Sequence, residues 1–73
     1  MSFHLSYDKE ADAAYIRLTP RIGVGAVAKT YTCDVDEVGG MINLDFDSSG
    51  RLLGVEILEA SELLPPEILS SAE

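Results

Sequence analysis

Apolar and polar residues alternate over two short stretches near the start of the chain. Phe3, Leu5 and Tyr7 alternate with His4 and Ser6, and Ala14, Ile16 and Leu18 alternate with Tyr15 and Arg17. A period of two is that of a half-buried strand, so the pair predicts a β-hairpin. Its connection is Asp8-Lys9-Glu10-Ala11-Asp12, in which Asp8 is expected to cap a helical turn through its carboxylate and Asp12 to close the loop. Pro20, Gly23 and Gly25 end the second strand. Val27, Thr30, Tyr31 and Thr32 make residues 26–33 a third strand, and residues 34–40 read as a polar connection. Residues 41–46 and 51–58 are the fourth and fifth strands, joined by Asp47-Ser48-Ser49-Gly50. Beyond them the period changes. Residues 59–64 suit a helical turn, Pro65-Pro66 interrupts it, and Pro66 and Glu67 suit the first turn of a terminal helix. Leu63, Leu64, Ile68 and Leu69 give this tail an apolar face to lay on the sheet. The expected fold is α+β: one small domain over residues 1–73, with a mainly antiparallel sheet of four or five strands and a short C-terminal helix.

Residues 45–56, D-F-D-S-S-G-R-L-L-G-V-E, fit two templates. As a twelve-residue calcium loop they would offer Asp45, Asp47 and Ser49 at positions one, three and five, Gly50 at the bend and Glu56 as the bidentate last ligand. Against this, residues 39–44 carry a glycine pair and an alternating pattern instead of an entering helix, and the ninth position is Leu53, which cannot ligate. As a hairpin, Asp47 to Gly50 is a type I turn with glycine where φ is positive, so Asp47, Gly50 and Gly54 are the expected structural residues. Glu56 would then pair near residues 41–42. At ~3.3 Å per residue that is on the order of 10–13 Å from Asp45, too far for one ion.

Two registers remain open for this hairpin. A three-residue bulged loop places Leu44 beside Gly54 and Asp45 beside Leu53. A four-residue loop places Leu44 beside Leu53 and Ile42 beside Val55. The first puts large apolar groups on both faces, one for the C-terminal helix and the other for a second copy of the chain. Gly54 is expected against another backbone or the helix.

Composition narrows the partners. The chain has 73 residues, too few to bury much of its surface, and single Cys33 and His4 exclude a disulfide or a Cys/His zinc cluster. Self-association is the expected support, as a homodimer. Thirteen acids against five bases give a net charge of −8. That argues against nucleic acid, which needs a basic stripe, and against anionic membranes, and is compatible with a basic protein partner. Residues 1–5 lack a charged-then-apolar leader, no apolar run approaches membrane-spanning length, and the lone thiol suits a reducing cytoplasm.

Candidate chemistry is sparse. Asp8 and Asp12 read as loop caps and not as an acid–base pair. Asp45 and Asp47 share a strand face, but no neighbouring His or Lys completes a site, so a turn salt-bridged by Arg51 is expected. Cys33 reads as a buried small hydrophobe and not as a nucleophile, and His4 as a solvent-side strand residue. Gly23-x-Gly25 lacks the third glycine of a dinucleotide loop. No catalytic residues, metal or cofactor are assigned.

Two stretches, Tyr7-Asp8-Lys9-Glu10-Ala11-Asp12-Ala13-Ala14-Tyr15-Ile16 and Leu44-Asp45-Phe46-Asp47 with Gly50, Leu53-Gly54-Val55-Glu56-Ile57-Leu58 and Ala60-Ser61, together resemble a family of very small bacterial proteins known only as a domain of unknown function. The resemblance implies a compact sheet with a short C-terminal helical piece and no assigned activity. The functional expectation is a non-enzymatic homodimeric interaction or regulatory module, antitoxin-like in masking a basic partner. The competing expectation is a metal-dependent or acid-catalysed enzyme using Asp45, Asp47 and Glu56.

Overall fold

A computed structural model describes residues 3–72, so Met1 and Ser2 of the N-terminal stretch lie outside it. The elements in chain order are β1 (His4–Asp8), β2 (Ala13–Arg17), β3 (Lys29–Thr32), α1 (Val35–Val38), β4 (Ile42–Phe46), β5 (Leu52–Leu58), α2 (Ala60–Leu63) and α3 (Pro66–Ser70). The strands form one five-stranded sheet in the order β1-β2-β5-β4-β3, antiparallel at every ladder. The fold is therefore α+β, as the alternation predicts. Among the described residues no helix is long and apolar enough to cross a membrane.

The ladders sort the apolar residues onto one face. Ala14 lies opposite Tyr7 on one side and Ile57 on the other, and Ile16 lies opposite Leu5 and Val55. Ile42 and Leu44 extend the same face from β4, opposite Ile57 and Val55. The C-terminal segment covers it: Ala60 is completely buried with Ala14 and Ile57, and Leu63, Leu64 and Leu69 pack against them. Pro66 starts α3, where its missing N–H is harmless.

The β4–β5 hairpin follows neither expected register. Its turn is the bulged one, with the Asp47 N–H donating to the Arg51 carbonyl at 2.9 Å and the Gly50 N–H to the Asp47 carbonyl at 3.0 Å. Phe46 then faces Leu52, but Asp45 faces Gly54, so Leu53 is an extra residue in β5. Below that bulge Leu44 meets Val55 and Ile42 meets Ile57. The bulge turns Leu53 inward, where it is 8% exposed, and aligns the large apolar groups on one side. The second apolar face inferred from the unshifted bulged register does not form, and Glu56 pairs with Asn43, only two positions from Asp45.

Residues 34–40 also depart from the polar connection expected there, because they contain α1. The Asp34 carboxylate accepts the Asp36 N–H at 2.9 Å, and Gly39 closes the turn at φ 79° with its N–H on the Val35 carbonyl. Four residues are too few for a helical period to show, although Asp34 followed by Glu37 has capping-box spacing.

Asp12 does more than close a loop. It sits at φ 50°, and its backbone carbonyl accepts the Ala60 N–H at 2.9 Å. Its Oδ1 accepts the Tyr7 hydroxyl at 2.7 Å and the Ser61 N–H at 2.9 Å, while its Oδ2 accepts the Ser61 hydroxyl at 2.7 Å. Glu59, at the start of α2, offers no side-chain cap of its own. A carboxylate 49 residues earlier in the chain caps that helix instead. The Asp8 carboxylate behaves as expected, accepting the Glu10 N–H at 3.0 Å.

These bonds favour the charged carboxylate. The Ser61 hydroxyl, then Tyr7 and the Ser61 backbone, hold the Asp12 carboxyl below the usual range, and the same bond raises the Tyr7 phenol. A depressed carboxyl stabilises the fold at pH values above its unfolded pKa and loses that contribution as pH falls through the folded pKa. Asp12→Ala is accordingly expected to lower the melting temperature by several degrees at neutral pH and to shrink that difference in acid, as thermal scans across pH 2–7 would show. A difference independent of pH would contradict the assignment. Gly50 lies at φ 83° with open space beside it, so Gly50→Val strains only the backbone. Urea denaturation should show a loss of roughly 1–2 kcal/mol, and a smaller loss for Gly50→Asn, which tolerates that conformation better.

Candidate functional site

The face of the sheet away from α2 and α3 is polar. Thr30 and Thr32 of β3, Asn43 and Asp45 of β4, Gly54 and Glu56 of β5, and Tyr15 and Arg17 of β2 occupy successive positions across it. Four hydrogen bonds tie these strands together. Asp45 accepts the Tyr15 hydroxyl on Oδ2 at 2.9 Å and the Thr30 hydroxyl on Oδ1 at 2.7 Å. Thr32 donates to Asn43 Oδ1 at 2.6 Å, and Asn43 Nδ2 donates to Glu56 Oε1 at 2.9 Å.

Gly54 makes the longest of these bridges possible. Tyr15 faces Glu56 in the ladder, yet its hydroxyl crosses β5 diagonally to reach β4. A Cβ on Gly54 would collide with that hydroxyl and lie 2.5 Å from Tyr15 Cζ. The close partner of Gly54 is thus an aromatic ring, in place of the backbone or helix expected from sequence, and the ring fills the space a side chain would take.

The carboxylates singled out in the sequence are distributed over the hairpin. Asp45 spends both oxygens on Tyr15 and Thr30, and Glu56 holds Asn43. Asp47 Oδ1 accepts the Ser49 and Arg51 N–H groups, each at 2.9 Å, so its contact with Arg51 is through the backbone in place of the expected salt bridge. Among the described residues no group of three or more His, Cys, Asp or Glu side chains is placed to hold a metal ion. Cys33 is a free thiol just beyond β3, half-buried in place of the burial expected from sequence because it follows an exposed edge strand, and His4 stands opposite Arg17. The polar network holds strands in register; it aligns no nucleophile with a base.

A different feature stands open. All four residues of β3 are exposed, and β3 is an edge of the sheet. Cys33 donates its N–H to the Ile42 carbonyl at 2.8 Å, so the odd-numbered positions of this strand turn their backbone groups toward β4. Thr30 and Thr32 turn theirs outward. Beside this edge, Ala28, Lys29, Tyr31 and Phe46 line a groove of about 500 Å³ that runs to the β4–β5 turn. Tyr31 is 56% exposed at its mouth. The charge changes here as well. Residues 13–33 contain Arg17, Arg21 and Lys29 and no acid, so +3 lies in this segment and −11 in the rest of a −8 chain. That asymmetry is legible in the sequence; the openness of the strand is not.

The Tyr15 phenol carries a titration signature. Burial first, then its bond to Asp45 and the charges of Asp45 and Glu56, push it up to about 12. A phenol raised above its unfolded value of ~10 stabilises the fold below that pH, and the contribution is lost as pH rises through about 12. Ultraviolet titration should find a tyrosine that ionises late and that disappears in Tyr15→Phe. Gly54→Ala should displace the ring, abolish the late step and cost about 1–3 kcal/mol in urea denaturation. An unchanged titration in Gly54→Ala would contradict the diagonal packing.

No curated protein matches the chain, and no solved structure does. A family model described as a protein of unknown function, DUF2283, matches residues 4–61. That span runs from β1 through Ser61 and includes both the polar network and the Asp12–Ser61 contact. The chain belongs to the DUF2283 family.

Proposed function

We propose that this protein is a non-enzymatic interaction module that binds by adding a partner's extended strand to its β3 edge. The observation that carries this reading is the exposure of all four β3 residues, with outward backbone groups at Thr30 and Thr32. Strand addition needs a free row of alternating donors and acceptors plus a pocket for alternate side chains. The groove beside Tyr31 and Phe46 supplies the second requirement. Of the natural defences of an edge, β3 has its short length and Lys29 at its start, but no proline and no charge turned inward between Thr30 and Thr32. The large hydrogen-bonded face behind the edge would hold it rigid, which lowers the ordering cost of docking.

The acid-rich remainder of the surface suits a basic partner, and an antitoxin-like masking role would use that charge. The edge reading requires no particular charge on the incoming strand. A synthetic strand peptide with the sequence of residues 27–34 is a suitable probe. Titrated into isotope-labelled protein, it should shift and protect the Thr30 and Thr32 amides more than those of β1. Perturbation confined to the polar face around Asp45 and Glu56, with β3 silent, would overturn the reading.

A further inference from the structure

We infer that the strand taken up by β3 is the β3 of a second copy of the chain, paired antiparallel about Tyr31. This rests on the edge reading above and adds the occupant and its register. The partner follows from charge and geometry together. Two copies, each at −8, repel wherever acids meet, and the segment from residue 13 to residue 33 is the long stretch of this chain that holds none. The β3 edge lies at its end. The opposite edge of the sheet, β1, carries Asp8, and its Leu5 and Tyr7 are packed under the C-terminal cover.

Register follows from the outward groups. For two sheets to continue into one with their helix-covered faces on the same side, facing residues must share a face, so their numbers must have equal parity. The outward pairs must also be Thr30 and Thr32. Centring on Tyr31 satisfies both conditions: Thr30 of each copy exchanges backbone hydrogen bonds with Thr32 of the other, and the two Tyr31 rings meet at the two-fold axis in the close, non-hydrogen-bonded position. Lys29 then faces Cys33 of the second copy. Centring on Thr30 also keeps parity, but it would pair Thr32 with Ala28, whose N–H is already spent on the Phe46 carbonyl, and centring on Thr32 would pair Thr30 with Asp34, whose carbonyl accepts the Glu37 and Val38 N–H groups. The outward backbone groups therefore select Tyr31, and the result is a ten-stranded sheet.

Cysteine cross-linking in the full chain reads the register directly. In a Cys33→Ser background, Tyr31→Cys places two thiols on strands with Cα atoms about 4.5 Å apart, within disulfide reach. Lys29→Cys places its two copies roughly 13 Å apart along the strands, beyond reach. Mild oxidation should therefore give a covalent dimer with Tyr31→Cys and little with Lys29→Cys. Equal cross-linking of both would overturn the register. Sedimentation equilibrium of the unmodified chain should show a monomer–dimer equilibrium. Tyr31→Glu, at an exposed position that does not threaten folding, should weaken it about tenfold by losing the aromatic pair and opposing like charges. Thr32→Pro removes an outward N–H while leaving the backbone ladder to β4 in place, and should weaken it further than Thr32→Val, which loses only the bond to Asn43. A chain that stays monomeric to millimolar concentration and fails to cross-link at position 31 would overturn this inference. Strand-peptide binding at Thr30 and Thr32 would in that case still support the edge reading, and its loss as well would remove both.

Discussion

The seating of the C-terminal cover on the sheet depends on one carboxylate. Asp12 stands at the end of the β1–β2 connection, directly before β2, and with its side chain and carbonyl it receives four donors: the Tyr7 and Ser61 hydroxyls and the Ala60 and Ser61 N–H groups. The last two are helix-start donors of α2 that Glu59 leaves without a side-chain cap. By holding them, Asp12 sets where the C-terminal segment leaves the sheet, and so seats Ala60 directly on Ala14 and Ile57. The apolar core is small, with four buried hydrophobic residues among those described. In so small a core a displaced cover would expose most of what folding had removed from water. A polar contact thus determines whether the hydrophobic one can form.

The two faces of the sheet obey related constraints. On the covered face, the extra residue Leu53 shifts β5 by one position and brings Val55 and Ile57 over Leu44 and Ile42. On the other face that shift sets Gly54 opposite Asp45 and Glu56 opposite Asn43, leaving a lane for the Tyr15 ring to cross β5. One irregularity therefore sorts apolar from polar residues and builds the Tyr15–Asp45–Thr30 bridge. The bridge fastens β3, which has no cover on either face, to the body of the protein. An edge that is open yet anchored in this way is suited to receiving a strand, since its own conformation needs no ordering on contact.

Much of the architecture is legible in the residues. Alternation in Leu5/Tyr7 and Ala14/Ile16 specifies the first hairpin, and Asp47 to Gly50 specifies the second turn, because turn chemistry and strand period act locally. The bulge is not legible: Leu52 and Leu53 are both apolar, and only the energy of the whole face decides which is turned inward. Asp12 as a cap for α2 is hidden for the same reason, since its partner lies far along the chain. The two stretches that carry the family resemblance turn out to be the two halves of that contact, Tyr7 and Asp12 in one and Ala60 and Ser61 in the other. As a glycine within a strand Gly54 signals a close approach, while the identity of the ring against it depends on the register.

If Asp12 fastens the C-terminal cover to the sheet, amide hydrogen exchange will show it at the bonds themselves. The Ala60 and Ser61 amides are expected to exchange as slowly as those of β5, and in Asp12→Ala to become fast together with the amides of α3 while the β2–β5 ladder keeps most of its protection. Rapid exchange of the Ala60 and Ser61 amides in the unaltered protein, beside a protected sheet, would contradict it.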